Sequence, residues 1–138
     1  MLGSLLLVCA SLNGAMTPPP AAQSSPSDLH PIEARVIEKT NAQRARHGLR
    51  PLRVDFSLLR SARRHAAWMT HSQNLTHTNH AVGENIAMGQ SSSSEVLNSW
   101  MNSSGHRANI LNPDYTRIGV AAYTTPGGTI YWCQQFLR

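Results

Sequence analysis

The feature that most constrains the fold is a pair of predicted C-terminal strands, residues 117–124 and 129–137, that are apolar on both faces. The Pro-Gly-Gly turn at residues 126–128 between them is typical of a hairpin. One face carries Ile118, Val120, Ala122, Ile130 and Trp132, and the other carries Ala121, Tyr123, Tyr131 and Cys133. A sheet that is apolar on both faces has to be covered on both faces. We therefore predict an α+β fold, a three-layer α-β-α sandwich in which helices cover both faces of a small antiparallel sheet.

Three segments with helical spacing of apolar residues supply the outer layers. They are residues 31–47, ended by Gly48, residues 56–71, capped by Asp55, and residues 95–102, capped by Ser94. Their apolar stripes are Ile32, Val36, Ile37, Ala42 and Ala45 in the first, Leu58, Leu59, Ala62, Ala66 and Met69 in the second, and Val96, Leu97, Trp100 and Met101 in the third. A loop is expected at residues 73–82, and a short extended segment at residues 84–88.

The N-terminal residues predict export from the cytoplasm. Residues 1–22 combine a short apolar run with small residues that suit cleavage, as in a secretory signal peptide. No Lys or Arg precedes the run, which a start assigned too far downstream explains; a buried N-terminal helix is the alternative. The run is too short to span a bilayer, so no transmembrane span is predicted. We expect a secreted or periplasmic protein.

The rest of the chain predicts a linker followed by one domain. Residues 17–29 are rich in Pro, Ser and Ala and are interpreted as an extended linker. Residues 30–138 are long enough for a single domain with its own core. Once the leader is removed, Cys133 is the only cysteine, so we expect a domain that is stabilised by packing and has no intramolecular disulfide. The sequence does not indicate an oligomeric state, and a monomer is the default expectation.

The positive charge of the chain is concentrated in its first half. The formal net charge is +5, and residues 39–64 contain eight Lys or Arg side chains against the single anion Asp55. This stretch is interpreted either as a basic face for an anionic partner or, preferably, as a solvated helical surface. No aromatic side chains alternate with these arginines, so no nucleic-acid partner is predicted.

Two segments in the second half are distinctive as motifs. The first is Gly83-Glu84-Asn85-Ile86-Ala87, and the second runs from Trp100 to Leu111 and contains Gly105-His106-Arg107. In this order the segments resemble the CAP superfamily of cysteine-rich secretory, antigen 5 and pathogenesis-related 1 proteins. Within it, the chain is most similar to the small bacterial SCP-like domain. The resemblance covers roughly residues 35–137 and implies an α-β-α sandwich, which agrees with the expectation from the two-faced hairpin.

The resemblance also implies a cleft. The positions that match its lining residues in the family are His77, Glu84, Ser103 and His106. The family has a second glutamate three residues after the helix tryptophan, and this chain has Ser103 there. In some family members the two histidines bind a divalent metal, and some members bind lipids or sterols. The resemblance does not imply a particular reaction.

The chemistry of this cleft has two interpretations. Spacing alone only weakly indicates a metal site at His77, Glu84 and His106, because these residues are far apart in sequence and only the fold can bring them together. In one interpretation, His77 and His106 bind a Zn²⁺ ion, with Glu84 as a less favoured third ligand. The other is a hydrogen-bonded group in which Glu84 orients one or both histidines without a metal. His80 replaces His77 if the loop has a different register.

Three classes of function follow from these interpretations of the cleft. The first is a secreted module that binds a small apolar ligand, a lipid or an envelope component, with no cofactor required and Zn²⁺ as the possible metal. The second is a metal-assisted hydrolase of envelope peptide or polymer, with Glu84 as its base. The third is an envelope interaction domain in which these residues only stabilise the fold. We prefer the binding module to the enzyme. Arg107 and Asn109 are expected to fix the loop that carries His106.

Overall fold

The structure is a computed structural model that describes residues 29–138. The predicted signal peptide and nearly all of the predicted linker lie outside the described residues. In the part of the chain that is described, no helix has the length and apolar character needed to cross a membrane.

Four helices and four strands make up the described domain. In chain order they are α1 (Pro31–Arg46), β1 (Arg53–Val54), α2 (Phe56–Ser72), β2 (Gly83–Met88), α3 (Ser93–Met101), α4 (Ser104–Ile110), β3 (Arg117–Thr124) and β4 (Ile130–Leu137). The predicted hairpin is confirmed, since β3 and β4 pair antiparallel along their whole length. The predicted N-cap of α2 is also confirmed, because the Asp55 carboxylate accepts from the backbone N–H groups of Ser57 and Leu58.

The strands form one sheet in the order β1-β3-β4-β2. Strand β2 pairs antiparallel with β4 and forms one edge. The opposite edge is β1, which pairs parallel with β3, so the sheet is mixed rather than purely antiparallel. Strand β1 was not predicted, because a strand of two residues is too short to show a periodic pattern of apolar side chains. Its pairing depends on hydrogen bonds on either side, from Arg53 N to Thr116 O (2.9 Å) and from Asp55 N to Ile118 O (3.0 Å).

Helices cover both faces of the sheet, as predicted from its two apolar faces. Helix α2 packs on β3 and β4 from one side, while α1 and α4 contact the sheet from the other side and α3 packs on them. The core under α2 contains Ala62, Ala66, Met69, Ile86, Ala121, Tyr131 and Cys133. The larger core on the opposite face includes Val36, Ile37, Val96, Leu97, Trp100, Ile110, Ile118, Val120, Trp132 and Phe136. Tyr123 is the exception to the predicted faces, since it is exposed near the hairpin turn.

The buried stripe of α1 differs from the prediction. Ala42 and Ala45 are exposed, and the polar residues Thr40 and Arg44 are buried in their place. The spacing of apolar residues does not predict the burial of Thr40 and Arg44, because these polar side chains are buried where they form hydrogen bonds. The Thr40 hydroxyl donates to Val36 O (2.8 Å), and it accepts from the side-chain amide of Gln134 (2.8 Å).

Two of the predicted solvated cations are structural. Arg44 is only 1% exposed, and its guanidinium donates to backbone carbonyls of the α1–β1 connection and the segment after α4. Arg63 of α2 forms an ion pair with the buried Glu33 of α1 (2.6 Å). The interpretation of residues 39–64 as one solvated basic surface is therefore wrong for these two side chains.

The segment that carries His106 is a helix and not the predicted loop. A seven-residue helix that contains Gly105 has no apolar stripe long enough to recognise from sequence. Ser103 precedes this helix in extended conformation (φ −105°, ψ 124°), which separates α4 from α3. Helix α3 itself begins at Ser93, and its N-cap is Ser92 rather than the predicted Ser94.

Candidate functional site

The candidate cleft is built around the edge strand β2. Successive side chains of a strand point to opposite faces, so Glu84 lies on the α2 side of the sheet while Asn85 lies on the α1 side. Glu84 is opposite Gln135 of β4, and Asn85 is opposite Gln134. All four of these polar residues are buried. One strand therefore places a buried carboxylate on one face and a buried amide on the other.

The Glu84 carboxylate has donors on both of its oxygens. Oε1 accepts from His77 Nδ1 (2.8 Å) and from the backbone N–H of Thr78 (2.9 Å). Oε2 accepts from Gln135 Nε2 (2.9 Å) and from the Cys133 thiol (3.6 Å). Burial raises the pKa of the Cys133 thiol well above its ordinary value, so the thiol keeps the proton that it donates.

The hydrogen bonds to Glu84 keep it ionised. Burial alone would raise the pKa of this carboxyl, but the hydrogen bonds from Gln135, Thr78 and His77 outweigh burial, and the pKa is lowered. An ionised carboxylate only accepts hydrogen bonds, so the proton between the two side chains is on Nδ1 of His77. Nε2 of His77 is then the unprotonated nitrogen in the neutral ring. The His77 side chain is 59% exposed, whereas that of Glu84 is 5% exposed.

His106 is held on the other side of the same strand by its backbone. The side-chain amide of Asn85 donates to His106 O (3.1 Å). Asn109, three residues further along α4, donates to Glu84 O (3.1 Å) and to Asn85 Oδ1 (2.9 Å). Partial burial and the nearby charge of His77 lower the pKa of His106. Both effects favour the neutral form of the His106 ring.

The remaining predicted site residues have other surroundings. Ser103 is half-buried at the start of α4, and its hydroxyl makes no capping hydrogen bond to the helix. His80 is exposed and its Nδ1 lies 3.4 Å from Ser61 Oγ of α2, so His77 is the histidine that contacts Glu84. The side chain of Arg107 reaches His47 (3.3 Å between side-chain nitrogens), and the backbone N–H of Arg107 donates to Ser103 O (2.8 Å).

Two contributors to the site were not identified from sequence. Gln135 donates to Glu84 from within a buried strand, and the backbone of Thr78 supplies another donor. The signal for Gln135 was available, because buried amides in an otherwise apolar strand need hydrogen-bond partners. No residue pattern could have revealed the role of the Thr78 backbone.

The available donors limit the metal chemistry of the cleft. Among residues 29–138, no group of three or more His, Cys, Asp or Glu side chains is arranged to hold a metal ion. Catalytic zinc sites usually have three protein ligands. The donors left here are the imidazoles of His77 and His106, because both oxygens of Glu84 already accept hydrogen bonds from protein groups. A carboxylate bonded to the second nitrogen of a histidine is the usual outer-shell arrangement of metal-binding histidines.

Comparison of the sequence with known proteins gives a family match and a bacterial relative. The model of the cysteine-rich secretory protein family, CAP, matches residues 37–136. The uncharacterised protein YkwD of Bacillus subtilis is 40% identical over 131 residues, covering 83% of this chain and 50% of YkwD. The chain thus spans about half the length of that relative.

Comparison of the structure gives the same fold in two bacterial proteins. An extracellular protein with an SCP domain from Bacillus anthracis superposes with a TM-score of 0.70 at 27% identity, covering 86% of this chain and 45% of that one. An outer surface protein of Borrelia burgdorferi superposes with a TM-score of 0.68 at 21% identity, covering 73% of this chain and 87% of that one. The second likeness concerns the fold alone.

Proposed function

Because the chain belongs to the cysteine-rich secretory protein (CAP) family, we propose that it is a binding module that acts outside the cytoplasm. Its cleft holds a divalent cation between the imidazoles of His77 and His106. Water and an external ligand complete the coordination of the cation. The protein recognises that ligand without transforming it.

One observation carries this proposal: the 2.8 Å hydrogen bond between His77 Nδ1 and Glu84 Oε1. It fixes the tautomer of His77, so that Nε2 is the metal-binding nitrogen. The lowered pKa of His106 favours the neutral imidazole, the form that metal binding requires. Glu84 is a positioning residue in this proposal and not a ligand.

The surroundings of Glu84 favour binding over hydrolysis. A general base needs a lone pair directed at a water molecule. Both oxygens of Glu84 are already bonded to protein donors, and its pKa is lowered, whereas a base or acid that works near pH 7 needs a raised carboxyl pKa. We therefore assign Glu84 the role of orienting His77.

An adjoining groove suits the organic part of an amphipathic ligand. It has a volume of about 410 Å³ and is bordered by Val82 and Gly83, which directly precede Glu84. Val82 and Leu137 supply apolar surface, and Arg138 supplies a positive charge at the rim. We propose that a lipid or another small apolar ligand with an acidic head occupies this groove. A dansylated fatty acid tests this: we expect binding to the wild-type protein, and Val82→Asp to abolish it. Equal binding by the variant would refute the assignment of the groove.

Zinc titration calorimetry tests the cation site. We expect the wild-type protein to bind one Zn²⁺, and His77→Ala and His106→Ala each to remove most of the heat. Glu84→Gln should weaken binding by about 10- to 100-fold, the usual effect of losing an outer-shell partner. The matched control is His71→Ala, which removes an exposed histidine of α2 and should leave the affinity unchanged.

Two results would overturn the cation site. One is the absence of zinc binding by the folded wild-type protein. The other is an equal loss of affinity in His71→Ala and His106→Ala, because zinc would then be bound by surface histidines in general.

Export is part of the proposal. It is supported by the composition of residues 1–22 and by the extracellular protein from Bacillus anthracis with the same domain. Expression of the full chain followed by cell fractionation and N-terminal sequencing tests it. We expect mature protein outside the cytoplasm that begins after residue 15 or residue 22. Full-length protein confined to the cytoplasm would contradict export.

A further inference from the structure

Trp68 lies on the solvent-facing side of α2, where the core does not need it. The buried residues of this helix are Leu58, Leu59, Ala62, Ala66 and Met69. The exposed side includes Arg60, Arg64, Trp68 and His71. Trp68 is 48% exposed, whereas Trp100 and Trp132 are fully buried. Tryptophan is enriched among the residues that contribute most to binding interfaces.

The indole of Trp68 is backed by a fixed imidazole. The rings of Trp68 and His65 are stacked, with centroids 5.8 Å apart and planes inclined by 11°. The carbonyl of Thr76 accepts a hydrogen bond from His65 Nε2 (2.7 Å), which ties this ring to the loop after α2. Because one face of the indole is supported in this way, the rest of the indole is a preorganised platform and loses little entropy when a ligand stacks on it.

The platform lies beside a shallow depression with a polar rim. Its volume is about 190 Å³, and its lining residues are Ser61, Arg64, His65, Trp68, Thr78 and His80. Hydroxyl, imidazole and guanidinium groups surround the indole, and none of the lining residues is acidic. Among residues 29–138, the guanidinium of Arg64 has no hydrogen-bond or ion-pair partner. The depression therefore combines one aromatic platform with several hydrogen-bonding groups and one unpaired cation.

We propose that this surface is a binding site for an acidic saccharide unit of an extracellular glycan. The electron-rich face of the indole attracts the slightly positive C–H groups on one face of a pyranose ring. The hydroxyls of Ser61 and Thr78 and the imidazole of His80 match the ring hydroxyls as hydrogen-bond partners. Arg64 pairs with a carboxylate on the sugar. The site adjoins the cation cleft through Thr78, whose backbone N–H donates to Glu84, but it does not require a metal.

The size of the depression indicates that it takes one unit of a longer chain. Sites that enclose a whole drug-sized ligand have volumes of roughly 300–1,000 Å³. The depression of about 190 Å³ is smaller and is open to solvent on the side of the exposed indole. One sugar ring can stack on the platform while the rest of the glycan continues across the surface.

Two other classes of partner fit the surface less well. A tryptophan that inserts into a membrane surface is normally surrounded by apolar residues, whereas polar side chains surround Trp68. Single-stranded nucleic acid is bound by several aromatic platforms along a basic groove, and here one platform has one lining arginine. A saccharide needs only the single platform and the polar rim.

Tryptophan fluorescence provides a selective measurement, because Trp68 is the exposed one of the three tryptophans. The probe is the disaccharide of N-acetylglucosamine and N-acetylmuramic acid, which carries a carboxylate, and N,N′-diacetylchitobiose is its neutral counterpart. We expect the acidic disaccharide to protect Trp68 from quenching by acrylamide and the neutral one to bind more weakly. Trp68→Ala should lower the affinity for the acidic disaccharide, measured by calorimetry, by at least about tenfold.

Matched variants separate the contributions to binding. Arg64→Gln should remove the preference for the acidic disaccharide, while Arg60→Gln, one turn earlier on the same exposed side, should leave it unchanged. Trp68→Phe keeps a smaller aromatic platform and should retain part of the affinity. Met88→Ala removes an exposed apolar side chain from β2 and controls for general loss of apolar surface.

Defined outcomes would overturn the saccharide site. They are the absence of protection by either disaccharide and an unchanged affinity in folded Trp68→Ala. Tighter Trp68-dependent binding to oligothymidylate or to phosphatidylglycerol vesicles would also overturn it, since the platform would then serve nucleic acid or a membrane surface.

Discussion

The side-chain amide of Asn109 donates a hydrogen bond to the side-chain oxygen of Asn85 over 2.9 Å and joins helix α4 to the edge strand β2. Asn85 directly follows Glu84, and Asn109 is three residues after His106 on α4. Together with the hydrogen bond from the Asn85 amide to His106 O (3.1 Å), this contact connects the two halves of the candidate cleft. The backbone of Glu84 accepts from the side-chain amide of Asn109 (3.1 Å), which strengthens the connection.

We expect Asn109→Ala to loosen the cleft. The substitution removes both hydrogen bonds and leaves Asn85 without one donor, at a cost of about 1–2 kcal/mol in the free energy of unfolding. Zinc affinity should fall about tenfold, because α4 no longer holds His106 at a fixed distance from His77. Urea denaturation and zinc calorimetry measure the two effects. Asn98→Ala, an exposed asparagine of α3, is the control, and an equal effect in both variants would contradict this role for Asn109.

The packing of α2 on the sheet requires Gly119. A Cβ atom at this position would overlap the backbone of α2 at Leu58 and Leu59. Gly119→Ala should therefore push the helix away from β3 and cost about 1–3 kcal/mol or more. Gly105→Ala is the matched control, since its Cβ would meet no atom within 4 Å. Because Gly105 is inside α4, its replacement should be neutral or stabilise by up to about 1 kcal/mol. Similar melting temperatures for the two variants would show that the close approach of α2 is wrong.

The buried guanidinium of Arg44 should be among the most important groups for stability. It donates to the backbone carbonyls of Arg50 (2.9 Å), Ile110 (2.9 Å), Asn112 (2.8 Å) and Tyr115 (3.2 Å). Arg44→Met leaves these carbonyls without their donor, and we expect a loss of roughly 3–5 kcal/mol in chemical denaturation. Arg46→Met, an exposed arginine of the same helix, should change the stability by less than about 0.5 kcal/mol. A small effect at Arg44 would mean that other groups can satisfy the carbonyls.

The pKa of His106 should show whether its ring lies close to that of His77. Burial lowers its pKa, and the charge of His77 lowers it further. The midpoint measured by NMR should therefore lie below the ordinary value of about 6.5, and His77→Asn should move it upward. Because the folded state disfavours the protonated ring, His106 should reduce stability as the pH falls below about 6.5. A midpoint that is the same in the wild-type protein and in His77→Asn would contradict the electrostatic contact between the two rings.

Much of the architecture could be predicted from local patterns. The nearly continuous apolar runs of the C-terminal hairpin predicted a sheet buried on both faces, and the two cores confirm it. The Asp55 cap and the apolar stripe predicted α2 nearly to its ends. Strand β1 and helix α4 were not found, because two residues and seven residues are too short for periodicity to distinguish them from loops. For α1, periodicity gave the helix and its buried Val36 and Ile37, but it missed Thr40 and Arg44, which are buried by hydrogen bonding.

The sequence by itself determined the layers of this protein, and the tertiary structure decided the surroundings of its site. The layers follow from the order of apolar and polar side chains, because the geometry of a strand or a helix assigns each neighbour to a face. The environment of Glu84 does not follow from that order. Gln135 lies opposite Glu84 only through the register of β2 on β4, and His77 reaches the same carboxylate from a loop with no regular spacing. Whether the carboxylate is a free base or an orienting partner depends on these donors, which only the folded chain brings together.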